Sequence, residues 1–409
     1  MHVDLHPDLA DSIAAKGARD LLSACVHCGF CLETCPTYLE TRDERDSPRG
    51  RIYLVRQLLE TGTASATTRH HLDRCLTCRS CETTCPSGVK YAQLAELGQH
   101  LTEQAAPRPR PMRLYRWLLR ETISRPRLFA LLLGVGQRLR PLVPGPLRLQ
   151  IPRRQQRLPV PATSRPRTML VLEGCVQAAA TPNTNDAARR VLDQLGISLQ
   201  AAPRSGCCGA VQQHLGNETG ALANLRHNID AWWPHIEAGA EAIVSSASGC
   251  GAMLADYGRL LADDPAYAVK ARRVSELACD LGQVLEREDL SSLRPDTGCG
   301  KVAVHTPCSL QHALREPTLV ATVLRRAGFS LADTREDHLC CGSAGTYSLL
   351  QPALSDSLRR RKIRALSGDQ PAIIATANIG CQLQLATAAV PVVHWIELLD
   401  PARPVSARK

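Results

Sequence analysis

The sequence predicts an α+β multidomain fold, and three observations carry the prediction. Eight cysteines crowd into the first ninety residues in two runs of identical spacing. A stretch rich in proline and arginine follows. The remainder alternates β-branched runs with helical patterns, and does so twice over. At 409 residues the chain is long enough for several domains, each with its own core. Its 18 cysteines are the unusual feature. The first residues, MHVDLHPDLADSIAAKGA, show no apolar core or cleavage pattern of a secretory leader, so a cytoplasmic location is expected. There thiols stay reduced and serve metals or redox chemistry more often than disulfides.

Residues 25–36 read CVHCGFCLETCP and residues 75–86 read CLTCRSCETTCP. Both are C-x2-C-x2-C-x3-C-P, the bacterial ferredoxin run in which three cysteines hold one iron–sulfur cubane and the fourth reaches across to the other. This assigns Cys25, Cys28, Cys31 and Cys85 to one [4Fe–4S] cluster, and Cys75, Cys78, Cys81 and Cys35 to a second. Zinc also takes four cysteines from C-x2-C pairs, but a third cysteine at the same short spacing and a fourth before proline favour iron–sulfur. Ligation by four cysteines leaves no open iron, so these centres should move electrons and bind no substrate. Between the runs, SPRGRIYLVRQLLETG places Ile52, Leu54, Val55, Leu58 and Leu59 at a helical period behind a Ser47-Pro48 start. YAQLAELGQHLTEQ after the second run is also helical, so residues 1–106 are expected to form an α-helical ferredoxin domain. His27, His70 and His71 are read as solvated or packing residues without a ligand role.

Residues 107–165 are expected to be a basic Pro/Arg-rich linker. From Pro107 to Arg167 there are fifteen arginines, no lysine and one acid, Glu121, so this segment carries +14 of a chain whose net charge is +10. MRLYRWLLRETI is a short amphipathic stretch, while the prolines of PLVPGPLRLQIPRR should prevent regular structure. The segment could lie on an anionic membrane surface, wrap an acidic partner, or serve as a solvated link. No apolar run reaches the roughly 18 residues of a membrane span.

The last part is a duplication, expected as cysteine-rich repeats over 166–300 and 301–400. TMLVLEG leads to Cys175 and KVAVHTP to Cys308. Helical stretches ending in VLDQLGISL and VLRRAGFSL follow, then Cys207-Cys208-Gly209 and Cys340-Cys341-Gly342. AEAIVSSASG and PAIIATANIG close the repeats at Cys250 and Cys381. The matched cysteines stand 133, 133, 133 and 131 residues apart. Each lies where a strand should end, which is where open α/β sheets gather ligands. Four thiols per repeat suit a further cluster or a zinc ion, at each repeat or shared between the two. The other reading keeps the motif for turn geometry and small buried side chains. Cys279 and Cys299 have no counterpart and are read as plain core or surface residues.

The tandem runs, the SPRGRIYL helix, GCCGA, SGCGA and HLCCGSAGTY, with NIDAWWPHIEAGAEAI and TANIGCQ, make the chain resemble the iron–sulfur subunits of bacterial glycolate oxidases over nearly its full length. Wider relatives are the iron–sulfur subunits of lactate-utilisation and anaerobic glycerol-3-phosphate dehydrogenase systems, and the cysteine-rich domain of heterodisulfide reductase. The resemblance implies an electron-transfer subunit, itself without a catalytic residue, whose flavoprotein partners oxidise glycolate to glyoxylate. Electrons would pass toward a quinone or another acceptor; the expected location is cytoplasmic, and peripheral on the inner face of the membrane if the basic segment binds that surface. The flavin belongs to the partners. In the wider family the repeat often ends in C-x-x-C; here the first position of that pair is Ala247 in one repeat and Asn378 in the other. A lactate or glycerol-3-phosphate complex, or a thiol-redox module, is the alternative. No dinucleotide loop, Walker loop or nucleophile elbow is present, and three Phe with seven Tyr argue against nucleic-acid stacking platforms.

Overall fold

The computed structural model describes residues 2–145, 148 and 151–402. Its packing divides the chain into two compact units. One holds the residues up to Trp117 together with His338–Lys362; the other holds Leu118–Asp337 together with the residues from Ile363 onward. The expected boundaries follow the sequence repeats, whereas the units follow packing, so the second repeat contributes to both.

The first unit is helical, with no strand among its described residues. Its helices are Ile13–Ser23, Pro36–Thr41, Pro48–Thr61, Ala66–Asp73, Ser80–Thr84 and Tyr91–Ala105, joined by Tyr347–Leu350. Pro48–Thr61 starts where the Ser-Pro pair predicts: Ser47 Oγ accepts the Gly50 N–H at 2.9 Å and proline fills the first turn. Val55, Leu58 and Leu59 from this helix pack with Leu22, Leu94 and Leu101 into one core.

The second unit is built on two parallel sheets. In the first, strands β1 (Arg167–Leu172), β2 (Ile197–Ala201), β3 (Ile243–Ser245) and β4 (Ala278–Asp280) lie in the order β2-β1-β3-β4. In the second, β5 (Val302–His305), β6 (Ile373–Thr376) and β7 (Val392–His394) lie in the order β5-β6-β7, with Leu331 bridging Val302 where β2 lies in the first. The duplication is therefore structural: β1, β3 and β4 correspond to β5, β6 and β7. Met169 and Val171 face one core and Leu170 and Leu172 the other, so β1 is buried on both sides, as a parallel strand between helical layers should be. The first of those cores joins both sheets through Val171, Val244, Val302, Ala375 and Trp395.

Two expectations change. The helical reading through VLDQLGISL is too long: the helix is Pro182–Gln194, and Ile197–Ala201 is β2, parallel to β1. The basic segment is also more ordered than its prolines suggest, with helices Arg110–Ile123 and Pro126–Leu139 and a short turn at Arg140–Leu142. Pro126 occupies a first-turn position, where its missing N–H costs nothing. Within PLVPGPLRLQIPRR, residues 146, 147, 149 and 150 lie outside the described residues.

Candidate metal centres

Each ferredoxin run begins just after a helix and curls through the same backbone path. His27 and Gly29 have φ of 56° and 86°; at the matching positions Thr77 and Arg79 have φ of 52° and 61°. Alternating left-handed residues turn successive N–H groups toward one side, an arrangement that suits sulfide and thiolate acceptors. The Thr77 N–H donates to Cys75 Sγ at 3.4 Å. Cys35 and Cys85 are each followed by proline, and Cys35 precedes the helix Pro36–Thr41.

Two cavities result. One is lined by Cys25, Cys28, Cys31 and Cys85. The other is lined by Cys35, Cys75, Cys78 and Cys81. The fourth cysteine of each run stands with the other run's first three. Cys81 also reaches the wall of the first cavity, and Pro48 and Tyr91 border both. Burial pushes the Cys31 thiol up to about 11 and raises Cys81 well above the ordinary range. Thiols so costly to ionise by themselves suit a cationic metal, whose charge offsets the thiolates. The donor set in each cavity fits a cluster held by four thiolates.

Sequence reasoning missed the charged network behind the second cavity. Arg51, on the buried face of Pro48–Thr61, donates from Nε to the His71 carbonyl at 2.7 Å and from Nη2 to Thr37 Oγ1 at 3.1 Å. Thr37 Oγ1 lies 3.3 Å from Cys35 Sγ. Asp46 is fully buried; it meets His71 Nδ1 at 2.8 Å, Arg74 Nη1 at 2.7 Å and Arg51 Nη2 at 3.6 Å. His71 thus holds a carboxylate. Asp43, Asp46 and His71 lie close enough together to suggest a metal site, but the two guanidinium groups on Asp46 already supply its positive charge. An arginine one position before the apolar period began at Ile52 was the available signal.

In the first repeat the four cysteines come together at the carboxyl ends of β1, β2 and β3. Cys207 interacts with both Cys175 and Cys208, and Cys208 also interacts with Cys250. The neighbouring Cys175 and Cys208 thiols, with the Gly209 and Val211 N–H groups, shift the Cys207 thiol below its ordinary range. The loop is clamped from behind. Asn228 Nδ2 donates to the Cys207 carbonyl at 2.8 Å, and the Tyr257 hydroxyl donates to the Cys208 carbonyl at 2.9 Å. Gly209 has φ 95°, and a Cβ there would come within 2.7 Å of Leu225 Cδ1. Gly342, its counterpart, has φ 86°, and a Cβ would meet the Ser355 carbonyl oxygen at 2.7 Å.

The second repeat is divided differently. Cys340 and Cys341 belong to the first unit, Cys308 and Cys381 to the second. The Gly342 N–H lies 3.4 Å from Cys340 Sγ, and the Ser355 hydroxyl donates to the Gly342 carbonyl at 2.8 Å. Asn378, standing where a cysteine of C-x-x-C is often found, places Nδ2 3.7 Å from Cys381 Sγ. Cys279 lies on β4, and both it and Cys299 pack against the shared core.

Comparison with known proteins gives these sites a context. Residues 21–89 match the 4Fe-4S dicluster domain family, and residues 169–255 and 302–386 match the cysteine-rich domain family. The glycolate oxidase iron-sulfur subunit of Escherichia coli (strain K12) is 50% identical over 404 residues, covering 98% of this chain and 99% of that protein. The chain belongs to the glycolate oxidase iron–sulfur subunit family. As a member it is an iron–sulfur electron-transfer component of an oxidoreductase. A probable glycolate oxidase iron-sulfur subunit of Bacillus subtilis (strain 168) is 29% identical, with 92% of each chain covered. Lactate utilization protein A of Shouchella clausii is more distant, at 26% over 52% of this chain and 87% of its own length. A crystal structure of a hypothetical protein from Helicobacter pylori shares the fold, with a TM-score of 0.58 at 9% identity, over 94% of this chain and 72% of that one.

Proposed function

We propose that this chain carries electrons from flavin-bearing partner subunits, which oxidise glycolate to glyoxylate, toward a quinone-linked acceptor. Two [4Fe–4S] clusters supply the one-electron carriers, the first on Cys25, Cys28, Cys31 and Cys85, the second on Cys75, Cys78, Cys81 and Cys35. The observation that supports this ligation best is the crossed lining of the two cavities, three cysteines from one run and one from the other in each. Pro48, Cys81 and Tyr91 border both cavities. The substrate assignment leans on family membership and on the high identity to the Escherichia coli subunit.

A further metal, iron–sulfur or zinc, is proposed for Cys175, Cys207, Cys208 and Cys250, supported by the gathering of these four thiols at the carboxyl ends of neighbouring parallel strands. Metal analysis of a Cys207→Ser, Cys250→Ser variant tests it: unchanged metal content rejects the site.

Peripheral attachment to an anionic membrane face is also part of this reading. No helix among the described residues is long and apolar enough to cross a membrane. The helix Pro126–Leu139 nevertheless leaves Leu131, Leu132, Val135 and Leu139 exposed, with Arg125, Arg127 and Arg138 around them. An apolar stripe edged by cations is the composition of an interfacial helix. Leu131→Glu with Val135→Glu should abolish co-sedimentation with phosphatidylglycerol vesicles; retained binding rejects the attachment.

The assembled complex provides the functional test. Under anaerobic conditions glycolate should bleach the iron–sulfur absorbance of the complex and leave the isolated chain unchanged. A complex whose partners turn over glycolate while its clusters stay oxidised would overturn the relay.

A further inference from the structure

The segment Ser47-Pro48-Arg49-Gly50-Arg51 does more than start a helix. Pro48 borders both cysteine cavities, Arg49 lines the first and Arg51 lines the second. The two arginines occupy opposite environments. The Arg49 side chain is 29% exposed and pairs with the half-exposed Glu44, Nε to Oε1 at 2.6 Å, so solvent and a dedicated counter-charge weaken its field. The Arg51 side chain is only 2% exposed. Its neighbour Asp46 pairs more closely with Arg74, whose side chain is 27% exposed, at 2.7 Å than with Arg51 at 3.6 Å, so the Arg51 guanidinium is the less neutralised of the two and the one held away from water behind the second cavity. Arg79 lines that cavity as well. Positive charge held away from water acts over a low dielectric and is not matched at the first cavity.

The geometry points to Arg51 as a positioning residue that sets the order of the two reduction potentials, making the second centre the higher and hence the electron sink of the pair. This rests on the cluster assignment proposed above. One electron leaves the first centre and enters the second; no proton or further reactant is needed, and the added negative charge is met by the buried guanidinium. The hydrogen bond from Arg51 to Thr37, whose hydroxyl lies against Cys35 Sγ, couples the charge to a ligand of that centre.

The experiment is an anaerobic potentiometric titration of the full chain followed by electron paramagnetic resonance, with iron and sulfide counted in each variant. Arg51→Gln should lower the upper step at least tenfold in its reduced-to-oxidised ratio, equivalent to 59 mV for one electron, and leave the lower step in place. Arg51→Lys, which keeps the charge, should restore most of the shift. Cys28→Ser, which removes the first centre only, should leave the upper step standing; this arm decides the matter even where Arg51→Gln loses iron. Survival of the lower step in Cys28→Ser, or an unmoved upper step in an iron-replete Arg51→Gln, overturns the ordering. Full iron content in Cys28→Ser would instead reject the cluster assignment beneath it.

Discussion

The ferredoxin runs and the first cysteine-rich repeat both gather four thiols, yet they do so by opposite means. In the runs, three cysteines lie within seven residues, and the backbone itself bends around the site through left-handed positions at His27, Gly29, Thr77 and Arg79. In the repeat, Cys175, Cys207 and Cys250 are more than thirty residues apart in sequence. They meet because β1, β2 and β3 are parallel neighbours whose carboxyl ends share one edge. The first kind of site is written in local spacing, the second in sheet topology. Mutations should therefore act differently on the two: ligand loss dominates in the runs, and loss of the framework dominates in the repeats.

The two Cys-Cys-Gly turns offer the largest framework effect. Gly209→Ala and Gly342→Ala each force a side chain into a left-handed backbone position, at about 1–2 kcal/mol. The further cost of overpacking is about 1–3 kcal/mol. At Gly209 the obstacle is the end of Leu225, which can rotate; at Gly342 it is the backbone oxygen of Ser355, which cannot. Denaturant unfolding should show Gly342→Ala as the more destabilised variant. Equal or reversed losses would contradict the assigned packing.

A smaller difference separates the duplicated halves. Asp280 ends β4 and His394 ends β7, and each accepts an N–H two residues on, from Gly282 at 2.8 Å and Ile396 at 3.3 Å. Burial pushes Asp280 up to about 7 and His394 down to about 4. The folded protein then binds more protons than the unfolded chain at Asp280, so that residue's contribution to stability falls as pH rises from about 4 to 7. At His394 the unfolded chain binds more, so its contribution rises from pH 4 to about 6.5. Asp280→Asn keeps the cap and should raise stability at pH 7.5 by on the order of 3 kcal/mol, with little change at pH 4. No gain at pH 7.5 in unfolding experiments would show that Asp280 is ionised without penalty.

How much of this was legible follows from the same contrast. The ferredoxin spacing and the matched cysteine offsets predict an iron–sulfur, duplicated α/β protein, and the family and both parallel sheets agree. The role of Arg51 was not legible beyond its place beside the apolar period, because with Arg49 and Arg56 it looks like the polar edge of a helix until tertiary packing buries it against Asp46. The strand Ile197–Ala201 reads as part of the preceding helix because Leu195 and Leu199 continue its apolar period, and only pairing with β1 decides between them. The helix Pro126–Leu139 was hidden by prolines and arginines that mark its start and flanks and leave its interior unbroken. The division of the second repeat between two packing units left no mark in the offsets, since duplication records ancestry and packing records contacts.

The central claim is the crossing of the fourth cysteines, and a set of single substitutions tests it directly. Electron paramagnetic resonance of the reduced chain should show Cys85→Ser altering the same signal as Cys25→Ser, and Cys35→Ser altering the same signal as Cys75→Ser. If Cys85→Ser instead alters the signal affected by Cys75→Ser, each run binds its own cluster, and the crossed assignment is wrong.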